Sequence, residues 1–142
     1  MLLLSRSIGC FLFNSCLYFY FITMNYEVPA ELLHWADGID CAVTICDNEG
    51  KILYMNDRSR LTFARHGDII GHDLFGYHPE KAQAQIRHML ATGETNAYYV
   101  TKNGVKKLIY QTPWRREGEI AGLVEISIPL PADMPHYDRD KQ

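Results

Sequence analysis

Apolar positions change their spacing several times along the chain, and each change marks an element. From Ile8 to Ile22 they are nearly continuous, interrupted by Asn14 and Ser15. Pro29 to Trp35 reads as a short lead-in helix, with Leu32, Leu33 and Trp35 as apolar anchors and Gly38 as its stop. Cys41 to Cys46 is a β-rich run, Asp47-Asn48-Glu49-Gly50 has the composition of a tight turn, and Lys51 to Met55 completes a hairpin. Asn56 is placed to cap a short helix from Asp57, with Leu61 and Phe63 pointing inward. Gly67 and Gly71 punctuate short helical turns through His66 to Phe75. After Pro79, the residues Ala82, Ile86, Met89 and Leu90 recur at helical spacing, and Gly93 supplies the C-terminal stop.

Three strands close the pattern. Thr95 to Thr101 leads into Asn103-Gly104, a dipeptide that tolerates the positive φ of a type I′ hairpin turn. Val105 to Trp114 follows, with Leu108, Tyr110, Thr112 and Trp114 on one face and Pro113 marking an irregularity. Ile120 to Ile128 places Ile120, Val124, Ile126 and Ile128 on one side, and Ala121, Leu123, Glu125 and Ser127 on the other. Gly122 leaves space there for close packing or for a ligand. The order β-β-α-α-β-β-β predicts an α+β fold, one antiparallel sheet with helices packed on one face. A ligand cavity would form between the two layers. The far face of the sheet would carry Leu123 and other apolar residues, covered by the lead-in helix or by a second copy of the chain, so a homodimer is expected.

Charge and cysteine content narrow the functional classes. With 14 basic and 17 acidic side chains, the net charge of -3 supplies no electrostatic footprint for nucleic acid. The basic pairs Lys106-Lys107 and Arg115-Arg116 flank a strand and read as a solvated face. Cys10 and Cys16 lie in the apolar leader, while Cys41 and Cys46 occupy opposite faces of one strand, which precludes a disulfide framework. Free, buried cysteines fit a reducing compartment, and a cytoplasmic location is expected.

Residues 1–23 stand apart as an apolar leader. The run is shorter than the roughly 20 residues of a membrane-spanning helix, and no small-residue cleavage site follows it. Met24 stands where globular composition begins. Three readings stay open: a start assigned too far upstream, a membrane anchor, or an export signal. Membrane contact is expected only if the segment is retained as an anchor. Residues 24–131 then form a single domain, and 132–142, rich in proline and charge, a flexible tail.

The stretch Asp47-Asn48-Glu49-Gly50-Lys51-Ile52-Leu53-Tyr54-Met55-Asn56 resembles the first hairpin and capping asparagine of the PAS domain family. Asp68-Ile69-Ile70-Gly71-His72-Asp73-Leu74 and Gly118-Glu119-Ile120-Ala121-Gly122-Leu123-Val124-Glu125 resemble its middle turn and final strand. The likeness covers Cys41 to Ile128. It implies a five-stranded antiparallel sheet in the order 2-1-5-4-3, a frequent small-molecule cavity, and dimerisation through flanking helices. Family members differ widely in ligand, so the cofactor stays unknown. Flavin-photosensor members carry a cysteine in the helical region, and Gly71 to Ala84 has none, which argues against covalent flavin. Haem-binding members use a histidine on the long helix; here His88 lies off the Ile86–Met89 stripe, which argues against haem.

No nucleophile elbow, phosphate-binding glycine loop or zinc-ligand spacing is present, and the six histidines are scattered, so an enzyme is not expected. The expectation is a sensory module that binds a small molecule, or one that signals through dimer or partner contacts with its core filled by side chains. With no room for an output domain, output would pass to a separate signalling protein. The pocket residues expected from this layout are Tyr54, Phe63, Phe75, His72, Tyr77, His78, Ile86, Tyr110 and Val124. Bulky members of that set, with Tyr98 and Trp114, either line a pocket or plug it.

Overall fold

The computed structural model describes residues 30–141; the expected leader over 1–23 lies outside them. Helix α1 (Ala30–Gly38) precedes a hairpin of β1 (Ala42–Asp47) and β2 (Ile52–Met55). Helix α2 (Asp57–Thr62) and two single-turn 3-10 helices, Ala64–His66 and Leu74–Tyr77, lead to the long helix α3 (Glu80–Thr92). Strands β3 (Asn96–Lys102), β4 (Val105–Arg116) and β5 (Glu119–Pro129) complete one antiparallel sheet in the order β2-β1-β5-β4-β3. That is the expected strand order, with the helices on one face. No helix among the described residues is long and apolar enough to cross a membrane.

Local chemistry accounts for most boundaries. At the β3–β4 turn, Asn103 and Gly104 take φ of 53° and 75°, the conformation a type I′ hairpin needs. Asp47 Oδ1 accepts hydrogen bonds from the backbone N–H of Glu49 and Lys51, which closes the β1–β2 turn. The outer edge of β2 is covered by the loop before Leu74. Ile52 N donates to His72 O, and Gly71 N and Leu74 N donate to Ile52 O and Gly50 O. An edge paired in this way offers no free ladder for a second strand.

Asn56 ties these pieces together from a fully buried position. Its Oδ1 accepts from Ser59 N (3.0 Å), capping α2, and from Val43 N (2.9 Å) in β1. Its Nδ2 donates to Ala36 O (2.9 Å) of α1 and to Cys41 O (2.8 Å). The core beside it comprises Cys46, Ile52, Met55, Ile69, Leu74, Phe75, Ile86, Met89 and Leu123, with α3 packed over β4 and β5.

Several expected orientations are corrected. Leu61 is 67% exposed, because α2 is short and its Asn56 cap turns Ser59 inward instead. Trp35 does not anchor α1; it stands exposed, and the helix is held at its C-terminal end through Ala36 and Asp37. Leu123 does not lie on the far face. It faces the helices, so the far face carries Val124, Ile126 and Ile128 of β5 beside Leu108, Tyr110 and Thr112 of β4. A bulge between Trp114 and Arg115 puts Ile120 out of phase with Val124.

Gly122 is required by close approach. A Cβ there would stand 1.9 Å from Cys46 O and 2.5 Å from Trp114 Nε1. The space that the sequence offered to packing or a ligand is taken by the indole, which donates from Nε1 to Cys46 O at 2.9 Å.

Replacing Asn56 by alanine is expected to lower folding stability by about 3 kcal/mol, since it removes a helix cap and leaves buried backbone groups without partners. Asn56→Asp should not restore it, because a carboxylate cannot donate to Ala36 O and Cys41 O. Urea unfolding of the three proteins checks both statements.

Candidate ligand site

Strand register brings a row of polar side chains across the helix-facing side of the sheet. Asn96 of β3 pairs with Gln111 of β4, Gln111 with Glu125 of β5, and Glu125 with Thr44 of β1. Directly paired residues share a face, so all four look toward the helices with Leu123 and Cys46. Asn96 Nδ2 donates to Gln111 Oε1 at 2.9 Å, and Gln111 Nε2 donates to Glu125 Oε2 at 2.6 Å. The direction follows from the carboxylate. Glu125 when ionised can only accept, so Gln111 turns its amide nitrogen toward it and its carbonyl toward Asn96. Thr44 Oγ1 lies 2.5 Å from Ser59 Oγ, extending the row to α2. Gln111 is 5% exposed, yet among the described residues no buried side-chain polar atom lacks a partner.

Two spaces meet at this row. A small, partly open cavity of about 20 Å³ lies between the polar row and the apolar walls Phe63, Leu74, Ile86 and Leu123; it has room for roughly one water molecule. An open groove of about 510 Å³ runs between the first turns of α3 and the β3–β4 strands, bounded by Lys81, Ala82, Gln85, Asn96 and Tyr98. His78 and Gln111 line both spaces and form the partition between them. His78 Nδ1 lies 3.0 Å from Leu74 O. A carbonyl only accepts, so Nδ1 carries the proton, and Nε2 of the neutral ring is an acceptor.

Electrostatics around the cavity are acidic and poorly solvated. Burial pushes the Tyr98 hydroxyl up from its ordinary pKa, and the negative charge of Glu125 adds to the shift. Burial likewise raises the Cys46 thiol, which keeps it protonated and unreactive as a nucleophile. Among the described residues no group of three or more His, Cys, Asp and Glu is placed to hold a metal ion.

The residues expected to form a pocket fall into three places. Phe63, His78 and Ile86 line the small cavity. Phe75 is packed in the core, with the Arg87 guanidinium 3.8 Å from its ring centroid. His72 is exposed, its Nδ1 2.8 Å from the Tyr77 hydroxyl, and Tyr77 meets the Phe63 ring edge-on; this pair sits outside the cavity lining. Tyr54, Tyr110 and Val124 stand on the opposite face of the sheet, which corrects their placement in the pocket. The cause is that the helices cover the less apolar face. His88 is exposed and paired with Glu94 at 3.0 Å.

Gln111, Glu125 and Thr44 escaped the sequence analysis. Polar residues alternating with apolar ones in a strand ordinarily mark the solvent side. The available signal was that Asn96, Gln111 and Glu125 recur one per strand across three strands.

The profile of the family described as PAS fold matches residues 36–130, more than half of the chain. The chain belongs to the PAS fold family. Among solved structures, a C-terminal domain from Streptococcus mutans is 17% identical with a TM-score of 0.57, covering 70% of this chain and 81% of that one. VqmA of Vibrio cholerae, described as a dimer and a LuxR-type receptor, is 18% identical with a TM-score of 0.58, covering 74% of this chain and 52% of that one. A VqmA structure bound to DPO gives 20% and 0.58, covering 71% and 57%. The PAS domain of the histidine kinase ThkA gives 14% and 0.53, covering 63% and 99%. This chain therefore spans little more than half of VqmA. No curated protein matches it. At these identities the likeness concerns the fold.

On the opposite face, Tyr54 donates its hydroxyl to Asp37 Oδ1 at 2.5 Å, joining β2 to α1. Burial, and then the hydrogen bond and charge of Asp37, raise the phenol from its ordinary value of 10 up to about 12. A group whose folded pKa is raised contributes its stability in full below the unfolded value and loses it through the folded one. The Tyr54 contribution should be whole below pH 10 and vanish as pH approaches 12. Tyr54→Phe should therefore be less stable than the parent at neutral pH, with the difference shrinking across that window. Denaturant unfolding of both proteins along an alkaline pH series measures it.

Proposed function

We propose that this PAS fold chain is a sensory module that binds a small molecule in the groove between α3 and β3–β4. Ligand contacts at the His78–Gln111 partition would shift α3 against the sheet, and a separate signalling protein or a second copy of the chain would read that shift. The observation that carries this reading is the groove of about 510 Å³, which has a hydrogen-bonded polar row along its floor and a small cavity behind it. A cleft with apolar walls and a few convergent polar groups is the usual form of a small-molecule site. VqmA, a relative in fold, is described as bound to DPO, which supports ligand binding within such a fold. The buried Cys46 thiol fits a reducing compartment, so the cytoplasm is the proposed location.

A second reading is favoured by the narrowness of the small cavity. About 20 Å³ is close to a filled core, as expected of a module that works by protein contacts alone. Its contact surface would be the far face of the sheet, where Tyr110 and Ile128 are 38% and 37% exposed. Exposed apolar residues gathered on one face suit a homodimer.

Native mass spectrometry of the purified full chain, with an absorption spectrum, separates the two. Under the first reading a small mass stays bound in the native spectrum and is lost on denaturation, and a visible band would identify a chromophore. A bare polypeptide mass that light scattering shows to be a dimer supports the second. A bare monomer at high concentration, with no small molecule raising its melting temperature, contradicts both.

A further inference from the structure

Glu125 brings a carboxylate to the cavity wall, with no cationic side chain paired to it. The ion pairs among the described residues are Arg58–Asp40, Arg60–Asp68 and Lys141–Asp138, and neither these nor the histidine–carboxylate contacts His34–Asp37 and His88–Glu94 involve Glu125. Its one hydrogen-bond donor is the neutral amide of Gln111, which occupies Oε2. A carboxylate has about four acceptor sites. Glu125 is partly buried, and Gln111 fills only one of those sites.

The neighbouring groups form no ion pair with Glu125. Asn96 and Gln111 each spend one amide proton on the ladder and keep the other, and both are neutral donors. The hydroxyls of Thr44 and Ser59 bond each other and leave one O–H proton spare, again a neutral donor. Glu125 is the one carboxylate lining the cavity and has neutral donors beside it but no cation paired to it, so a complementary ligand brings a cationic donor. The volume sets the size of that donor group. A cavity of about 20 Å³ admits one water-sized group, which suits a primary ammonium and excludes a ring. Beyond the partition, Tyr98 and Ala82 offer aromatic and aliphatic surface for a larger apolar body. The raised Tyr98 hydroxyl agrees that the negative charge of Glu125 reaches this space.

We propose that the groove takes a small amphipathic primary amine, its ammonium group seated in the cavity against Glu125 and its apolar body lying in the groove against Tyr98. This rests on the reading of the groove as a ligand site and specifies its chemistry. Lys81 on the outer wall carries the opposite charge; a groove governed by that residue would select anions.

Three probes of similar shape decide between them: benzylamine, benzyl alcohol and benzoate, titrated into the full chain at neutral pH and followed by calorimetry and by amide shifts in NMR spectra. Benzylamine is expected to bind at least about tenfold more tightly than either analogue, shifting the resonances of His78, Gln111 and Glu125. In Glu125→Gln that preference should disappear. Equal or tighter binding of benzoate or benzyl alcohol at the same resonances overturns the amine assignment while leaving the groove a ligand site. So does an unchanged preference in Glu125→Gln. If no probe moves groove resonances, both the assignment and the groove reading fail. Should Glu125→Gln not fold, the order of the three affinities in the parent protein still decides.

Discussion

A single buried amide holds the N-terminal half of this domain in register. Asn56 has two donor protons and an acceptor oxygen that takes two bonds, and all four interactions are made inside the protein. They reach α1, the segment before β1, β1 itself and the first turn of α2. These parts belong to four successive segments of the chain that no other single side chain joins among the described residues. Aspartate lacks the donors, and serine or threonine, though able to cap the helix, cannot also reach two carbonyls on the other side. Because α2 starts where Asn56 fixes it, Ser59 is carried inward to meet Thr44, and the polar row of the sheet gains its last member. The cap thus reaches Thr44, which faces Glu125 across the paired strands β1 and β5.

The second constraint is the choice of sheet face. Helix α3 covers the side that carries Leu123, Gln111 and Glu125, and the more apolar side is turned outward. A core built on the other face would bury more hydrocarbon. Burying a glutamine and a glutamate requires that they be hydrogen-bonded, and the ladder gives Gln111 a partner at both amide atoms while leaving Glu125 with spare acceptors. An arrangement that gives up apolar burial to keep a carboxylate beside a cavity is typical of a functional site. Membership of the PAS fold family fixes the scaffold, whereas ligand chemistry depends on residues set into it.

Much of the scaffold was legible from local signals. Asn103-Gly104 announced its hairpin through the φ values those residues tolerate, and Asn56 announced a helix start through its cap chemistry. The spacing of Ile86 and Met89 gave the buried side of α3 correctly. The candidate site was much less legible. Ile86 was reachable because it sits on a helix whose inner side is set by spacing, and Phe63 and His78 because they stand just past the ends of short helical turns. Tyr54, Tyr110 and Val124 were drawn in because large apolar side chains attract a pocket assignment. Gln111 and Glu125 were passed over because polar residues repel one.

The sequence by itself determined where turns fall, in what order strands and helices follow and, away from the bulge that puts Ile120 out of phase, which residues share a face of a strand. These are consequences of backbone geometry acting over a few residues. Only the tertiary structure decided which face of the sheet meets the helices, because a period of two is symmetric and labels neither side as inner. It also decided that Asn96, Gln111, Glu125 and Thr44 stand in one row, since that alignment depends on the register of four strands drawn from both ends of the domain. A carboxylate that looks solvent-bound in the linear pattern is thereby brought to the wall of a cavity.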